Sequence, residues 1–242
     1  MSNLTGNERK KYVRNMFGRI AHRYDLLNRL MTFWQDIQWR KVLVQGLELS
    51  DNPVVLDIGC GTGDLTREVR KQHPDAFVVA ADLTYEMVYL GAQDTDDGKI
   101  QWVIADAQNL PFKDGNFDAV ISGYLLRNVP DVERTLAEHN RVMNAEAIMA
   151  SLDTTPPEDN LLKPFIGLYL KFGIPLLGRI IAGDSSAYTY LPDSTRQFLT
   201  AEKLAEKIQA AGFGNVRFIK KMFRTMAIHW GKKELSEQES QS

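Results

Sequence analysis

The chain has 242 residues, of which 44% are hydrophobic, 25% charged and 10% aromatic, a profile that excludes disordered and fibrous classes and suits one α/β domain with its own core. Cys60 is the only cysteine, which rules out a disulfide framework or a cysteine-rich zinc site within one chain and fits a reducing cytoplasm. With 29 Lys+Arg against 31 Asp+Glu, a net charge of −2 and a pI near 6.1, there is no global basic field, and nucleic acid is set aside as a partner.

The opening stretch MSNLTGNERKKYVRN carries no apolar run of the signal-peptide kind, which again reads as cytoplasmic. Tyr12, Val13, Met16, Phe17, Ile20 and Tyr24 recur at helical spacing and predict an amphipathic helix from Tyr12 to Tyr24. A second helix is predicted from Trp34 to Leu47. The pattern then changes to short apolar runs that end in acidic or small residues: Val54 to Asp57, Phe77 to Asp82, Trp102 to Asp106 and Phe117 to Ser122. Near-continuous apolar runs mark strands covered on both faces. Helical patterns fall between them, at Leu65 to Lys71, Tyr85 to Ala92 and Val132 to Met143, so the alternation predicts a doubly wound, mainly parallel sheet. Ala147 to Leu152 supplies a fifth strand.

Pro156 to Ser194 breaks the alternation with an aliphatic and aromatic insertion. Its apolar part, Leu161 to Gly183, is interrupted by Lys163, Pro164, Lys171, Pro175 and Arg179 and does not read as a membrane span. It reads either as a substrate lid or membrane-facing surface, or as buried helix packing. A helix from Ala201 to Ala211, ended by Gly212, is followed by two strands that pair, Val216 to Phe223 and Thr225 to Trp230. From Lys232 the chain is polar and is expected to fray. The whole reads as a single domain: N-terminal helices over 1–48, a cofactor core over 53–155, the insertion over 156–198, a last helix and strands over 199–231, and a tail over 232–242.

The sharpest local feature is Leu56-Asp57-Ile58-Gly59-Cys60-Gly61-Thr62-Gly63-Asp64, between the first strand and its helix. Glycines here let the backbone approach a ligand closely and take conformations closed to other residues. A dinucleotide fingerprint needs glycine where this chain has Asp64, which disfavours a nicotinamide cofactor. The loop reads instead as G-x-G-x-G, the form seen in methyltransferases that use S-adenosylmethionine. A tight turn with no ligand is the competing reading. Asp82, followed by Leu83, closes the second strand, where a carboxylate can accept from both hydroxyls of a ribose. Asp106, followed by Ala107, closes the third, where a short acid can reach an adenine amine, and Ser122 ends the fourth. Any one acid alone is as well explained as a helix cap, but successive strand ends are where open α/β sheets hold ligands.

These residues resemble the UbiE/MenG/COQ5 family of S-adenosylmethionine-dependent C-methyltransferases, which act on demethylmenaquinone or on the benzoquinol precursor of ubiquinone. The likeness covers nearly the whole chain. Phe17-Gly18-Arg19-Ile20-Ala21-His22-Arg23-Tyr24-Asp25-Leu26-Leu27-Asn28 is similar to the family's amino-terminal signature, and Leu56 to Thr66 to its cofactor loop. Leu125-Leu126-Arg127-Asn128-Val129, Ala187-Tyr188-Thr189-Tyr190-Leu191, Gly212-Phe213 and Ala227 to Lys232 match further elements. There are departures. Met143-Asn144-Ala145-Glu146-Ala147 stands where the family has Leu-Lys-Pro-Gly-Gly, so Asn144 either supplies a left-handed residue or lets the helix run on. Asp153 replaces a glutamate, and Tyr124-Leu125 replaces Phe-Gly.

The resemblance implies a class I S-adenosylmethionine methyltransferase fold: a Rossmann-like, mainly parallel seven-stranded sheet with flanking helices and an apolar insertion before the last helix. It implies S-adenosyl-L-methionine at Gly59, Gly61, Thr62, Gly63, Asp82, Leu83, Asp106, Ala107 and Ser122, with no metal. The implied partner is a hydrophobic small molecule, a prenylated quinol, with room for peripheral contact on the inner membrane face and for a homodimer.

Carbon methylation of a hydroquinone requires a phenolic oxygen that loses its proton at least in part. The resemblance links Arg127 and Asn128 to substrate activation. Arginine is a poor proton acceptor because its pKa exceeds about 12, so Arg127 is read as stabilising phenolate charge and orienting a water, with Asn128 fixing that geometry. Tyr24, with Asn28, Tyr188 and Tyr190, is a candidate pocket wall or hydrogen-bond partner. The structural alternatives stay open: Arg127 in a surface ion pair, Tyr24 continuing the core stripe, Tyr188 and Tyr190 covering the core. Cys60 reads as a loop filler, and the four scattered histidines form no metal pattern.

Overall fold

The computed structural model describes residues 6–157, 167–169, 173, 190 and 193–234. Among them seven strands build one sheet: β1 (Val54–Ile58), β2 (Phe77–Asp82), β3 (Ile100–Ile104), β4 (Phe117–Gly123), β5 (Met143–Thr154), β6 (Phe213–Lys221) and β7 (Met226–Lys233). The order is β3-β2-β1-β4-β5-β7-β6. The first five strands are mutually parallel, and β7 runs antiparallel to both β5 and β6. Chain direction across the sheet reverses between β1 and β4, which opens a crevice beyond their carboxyl ends.

The helices are α1 (Gly6–Met31), α2 (Gln35–Gln45), α3 (Asp64–Gln72), α4 (Tyr85–Gln93), α5 (Val132–Val142) and α6 (Ala201–Ala210). Successive strand residues point to opposite faces, so β1 buries Leu56 in one core with Val120, Met149 and Ile208, and Val55 in another with Ile121, Leu43 and Trp230. Both faces are thus covered, as the unbroken apolar runs require.

Several boundaries differ from expectation. Tyr12 to Tyr24 is the middle of a longer helix, because polar residues on either side keep helical geometry while Met16, Ile20 and Leu27 are buried. Trp34 does not start α2. Phe33 and Trp34 take left-handed backbones, φ 53° and 62°, and form the elbow between α1 and α2. The third strand ends at Ile104, so Asp106 lies beyond it in a turn, accepting from the Gln108 N–H at 3.1 Å.

At the departure 143–147, helix α5 stops at Val142 and β5 begins at once. Asn144 neither turns left-handed nor prolongs the helix. Glu146 carries the positive φ of 58°, inside an irregularity where Phe117 pairs with Met143 but Ala119 with Ile148. The Asn144 amide instead donates to Asp118 at 2.7 Å, which anchors the bulged segment. At the C-terminus, β7 runs on to Lys233, whose Nζ donates to the Met143 carbonyl at 2.8 Å, so fraying does not begin at Lys232. Most of the apolar insertion, with Tyr188, lies outside the described residues.

Candidate active site

The glycine turn is drawn onto β2 by two backbone bonds, from Gly59 and Cys60 N–H to the Ala81 carbonyl at 2.7 and 3.1 Å. Gly59, Gly61 and Gly63 all have positive φ, 70°, 57° and 91°. Their surroundings differ. A Cβ on Gly63 would collide with the Trp102 ring, and one on Gly59 would come within 2.9 Å of Leu125. A Cβ on Gly61 would meet only Tyr24 Cε1, at 3.9 Å. Two glycines therefore serve packing, and the third faces open space.

That space is a cleft beyond the strand ends. Gly59 and Gly61 form one wall, Asp82 and Leu83 the next, Asp106 and Ala107 a third, and the segment after β4 closes the other side. Helix α1 is the roof. Lys10, Val13, Phe17 and Tyr24 fall on one helical face and reach into the cleft, and Lys10 pairs with Asp106 at its rim. Asp82 accepts from Gly61 N–H at 3.0 Å and from Thr84 N–H at 2.8 Å, one donor per oxygen. A carboxylate has about four acceptor positions, so lone pairs remain on the cleft side. Burial holds its pKa above the usual carboxylate value in spite of those two bonds.

Below the turn lies a smaller ionic chamber shared by Tyr24, Asp25, Arg40, Asp57 and Asp64. The Thr62 hydroxyl bonds both Asp25 oxygens, at 2.9 and 2.8 Å, and ties α1 to the turn. Asp64 binds Arg29 at 2.7 Å, Arg67 at 3.0 Å and Arg40 at 3.3 Å. Burial pushes its pKa up, but Arg40 and Arg29 outweigh that and hold it below the usual value. This explains the acid where a dinucleotide loop has glycine: it clamps α1 and α2 to the turn. Asp57 is fully buried. One of its oxygens accepts from the Thr66 hydroxyl at 2.7 Å and the other has no hydrogen-bond partner among the described residues, and burial pushes its pKa up to about 7.

On the far side of the cleft, Asn128 lines the wall and is held at both ends. Its amide donates to the Tyr124 carbonyl at 2.7 Å, and its oxygen accepts from the Tyr190 hydroxyl at 3.2 Å. The Arg127 guanidinium does not line this cleft. It is buried, 3.3 Å from Asp153, donates to Ser194 Oγ at 3.2 Å and faces a second cavity beside α5 and α6. Asp153 is pushed up to about 6 by burial, which the neighbouring Arg127 opposes. Burial likewise raises the Tyr24 hydroxyl above the usual phenol value and keeps it neutral.

The family model for the ubiE/COQ5 methyltransferase family matches residues 4–233. The chain belongs to the ubiE/COQ5 methyltransferase family. It is 43% identical over 221 residues to the ubiquinone/menaquinone biosynthesis C-methyltransferase UbiE of Desulfotalea psychrophila, covering 91% of this chain and 90% of that one. It is 38% identical to the demethylmenaquinone methyltransferase of Thermus thermophilus, covering 89% of this chain and 99% of the other. Among solved structures, the [4+2]-cyclase SpnF has a TM-score of 0.69 at 16% identity, covering 96% and 97% of the two chains. Haemonchus contortus phosphoethanolamine N-methyltransferase 2, solved with S-adenosyl-L-methionine, has a TM-score of 0.64 at 12% identity, over 82% of this chain and 53% of that one. The fold is that of the class I, Rossmann-like methyltransferases.

Within this family fold, Gly59, Gly61, Asp82, Leu83, Asp106 and Ala107 gather around one cleft, with Tyr24 and Asn128 opposite. Six of the expected residues that the structure describes do not line it: Thr62, Gly63, Ser122, Arg127, Asn28 and Tyr190. Thr62 turns to Asp25, and Gly63 packs on Trp102. Ser122 is fully buried in β4, its hydroxyl without a partner among the described residues, and Gly123, one residue on, is the strand's cleft-facing end. Arg127 points to Asp153, since its charge finds a partner there. Asn28 is buried behind Tyr24, and its amide nitrogen has no partner among the described residues. The roof residue Lys10 and the chamber residues Asp57 and Arg40 are additions to the expected set. Asp57 stood in the loop motif, two positions before its first glycine, whereas Lys10 had no signal beyond its place on a helical face.

Proposed function

We propose that this chain transfers a methyl group from S-adenosyl-L-methionine to a ring carbon of demethylmenaquinol or a related prenylated quinol, in one methyltransferase domain. The observation that carries the reading is the cleft itself: a glycine turn with one open glycine, facing a strand-end carboxylate with acceptor capacity to spare. Family membership adds the quinol class.

The residues fit that cofactor. The space a Cβ would fill at Gly61 admits a close ligand, and Asp82 suits a ribose diol. The unpartnered Asp57 oxygen suits an ammonium group, since a buried carboxylate is stabilised by a cation. Asp106 and Ala107 would border the base, with Lys10 and Asp106 closing the rim. When bound, the cofactor supplies an electrophilic methyl on a sulfonium. The chain's part is to hold the acceptor carbon in line and to keep water out, which α1 does as a roof.

For the acceptor, Tyr24 offers a neutral hydroxyl that can donate to a phenolate oxygen. Asn128 is fixed at both ends and keeps the opposite wall rigid. Arg127 acts from behind Asn128, where its positive charge favours a phenolate over a phenol, tempered by Asp153. Tyr190 supports Asn128, and Asn28, with its amide nitrogen free of partners among the described residues, is left for the substrate side of Tyr24.

The test is a single-turnover assay with reduced demethylmenaquinone, reading S-adenosylhomocysteine and C-methylated product by mass spectrometry. Stoichiometric product is expected. Arg127→Ala should lower kcat more than it raises the cofactor Kd, with partial recovery at high pH as the phenol ionises unaided. Tight cofactor binding without methylated quinol would overturn the quinol assignment and leave a binding protein or a methyltransferase for another acceptor.

A further inference from the structure

Two buried polar atoms on the wall of the ionic chamber have no hydrogen-bond partner among the described residues: the Asp57 oxygen already noted and the Tyr124 hydroxyl. They are complementary in kind. An ionised carboxylate only accepts, whereas a phenol can donate. Burial pushes the Tyr124 hydroxyl up to about 12, against the opposing charge of Arg40, so it keeps its proton. A buried polar group without a partner costs stability, and in a cavity wall it calls for a group that would complete it.

Tyr124 is also strained. Its φ is 59°, a left-handed backbone that a bulky side chain adopts at a cost, and residues of this kind collect at ligand sites. Its neighbours hold it there. The Tyr124 N–H donates to the Leu152 carbonyl at 2.7 Å, and its carbonyl accepts from the Asn128 amide at 2.7 Å. The ring shares a core with Leu43, Leu65 and Trp39, and the Arg40 guanidinium lies 5.7 Å from its centre.

Tyr24, Gly59, Gly61, Gly123 and Tyr124 line both the cofactor cleft and the chamber, and so form the throat between them. Arg40, the charge that acts most strongly on the Tyr124 hydroxyl, lines the chamber and not the cleft. The hydroxyl therefore serves the chamber end of the throat. The other chamber acids are committed: the Thr62 hydroxyl bonds both Asp25 oxygens, and Asp64 faces Arg29, Arg40 and Arg67. A group entering through the throat meets an acceptor and a donor that both lack partners, which is what an α-amino acid zwitterion requires.

We propose that Tyr124 is a cofactor-binding residue that selects ligands carrying an amino-acid end: its hydroxyl donates to the carboxylate of that end, while Asp57 accepts from the ammonium. The proposal deepens the S-adenosylmethionine reading and rests on it. It adds a residue on which this chain departs from the family pattern.

The test compares S-adenosylhomocysteine with 5′-methylthioadenosine, which has the same nucleoside and a thioether but no amino-acid end, by calorimetry on the full chain. Tyr124→Phe keeps the ring and removes only the hydroxyl, so its Tm should hold or rise. It should weaken S-adenosylhomocysteine binding about tenfold or more, as expected for a hydrogen bond to a charged group, and leave 5′-methylthioadenosine binding unchanged. Asp57→Asn, which removes the charge and keeps the shape, should show the same selectivity. Equal S-adenosylhomocysteine affinity in wild type and Tyr124→Phe would overturn this proposal alone, and so would an equal loss for both ligands, which would mean that Tyr124 shapes the cleft as a whole. An unchanged affinity with a slower single turnover would place the hydroxyl on the methyl acceptor instead and overturn it too. A wild-type chain that binds neither nucleoside would overturn the cofactor reading and this proposal with it.

Discussion

Gly61 and Asp82 form a minimal recognition unit, because the carboxylate that would take the ribose also holds the Gly61 N–H at 3.0 Å. Asp82→Ala is expected to weaken S-adenosylmethionine binding by about 1.5–3 kcal/mol, the range for hydrogen bonds to a charged group, and Asp82→Asn by less. Isothermal titration checks it, and equal affinity would make Asp82 a scaffold for the turn alone. Gly61→Val should abolish binding in the same assay; its Cβ meets nothing closer than 3.9 Å, but φ 57° strains a β-branched residue, so a lower Tm with a retained circular dichroism spectrum is expected.

Asp57 sets a pH dependence. Its pKa rises from 3.8 to about 7 in the folded chain, so the folded state holds an extra proton between those values. Stability of the unliganded protein therefore falls as pH rises through that window and levels above it. A bound ammonium favours the ionised form, so cofactor affinity should climb from pH 6 to 8. Asp57→Asn should flatten both profiles, measured by urea titration and calorimetry. The glycine spacing and the strand-end acids were legible because they are contiguous in the chain. The state of Asp57 was not, since it depends on a buried environment assembled from α1, α2 and the turn.

At the scale of elements, α1 and α2 are fastened to the turn by charges rather than by apolar contact alone. Asp36 is fully buried, paired with Arg29 and Arg40, and both arginines reach on to Asp64. Asp36→Ala leaves two cations with one acid, and removing one partner of a buried pair costs about 3–5 kcal/mol. Chemical denaturation should show that loss, and the cofactor Kd should rise with it because the roof is no longer held. A loss below 1 kcal/mol would mean that solvent or Asp64 alone satisfies the arginines. Helical periodicity located α1 but not its length, because its polar ends are kept helical by long-range pairs such as Lys10 with Asp106. Likewise the bulge at Glu146 replaces a glycine turn with a strained residue, and no local pattern signals that an acid will take φ 58°.

For the molecule as a whole, binding and folding are linked. At a cofactor concentration of about 100 times Kd, the folded state gains about 2.7 kcal/mol. For a chain of this size that corresponds to a rise in Tm of about 5–10 °C. Differential scanning fluorimetry should show this with S-adenosylmethionine and no rise with NAD, because Asp64 is committed to its three arginines. A shift with NAD would reopen the dinucleotide reading. The strand alternation up to β5 was legible from apolar runs. The place of β7 between β5 and β6 was not, since an antiparallel insertion leaves no trace in local sequence.

That insertion governs the order in which the molecule can be made. The indole of Trp230 on β7 donates to the Leu43 carbonyl at 3.0 Å, and Gly46 has no side chain because that ring fills its place. The end of α2 is therefore completed by a residue synthesised 187 positions later. A nascent chain can assemble the crevice between β1 and β4 and fasten α1 and α2 to the turn long before, but the last turn of α2 is completed only when the last strand slides in. A ribosome that stopped after β6 would release a sheet whose outer strand has no neighbour to pair with, and an α2 whose last turn lacks its indole partner.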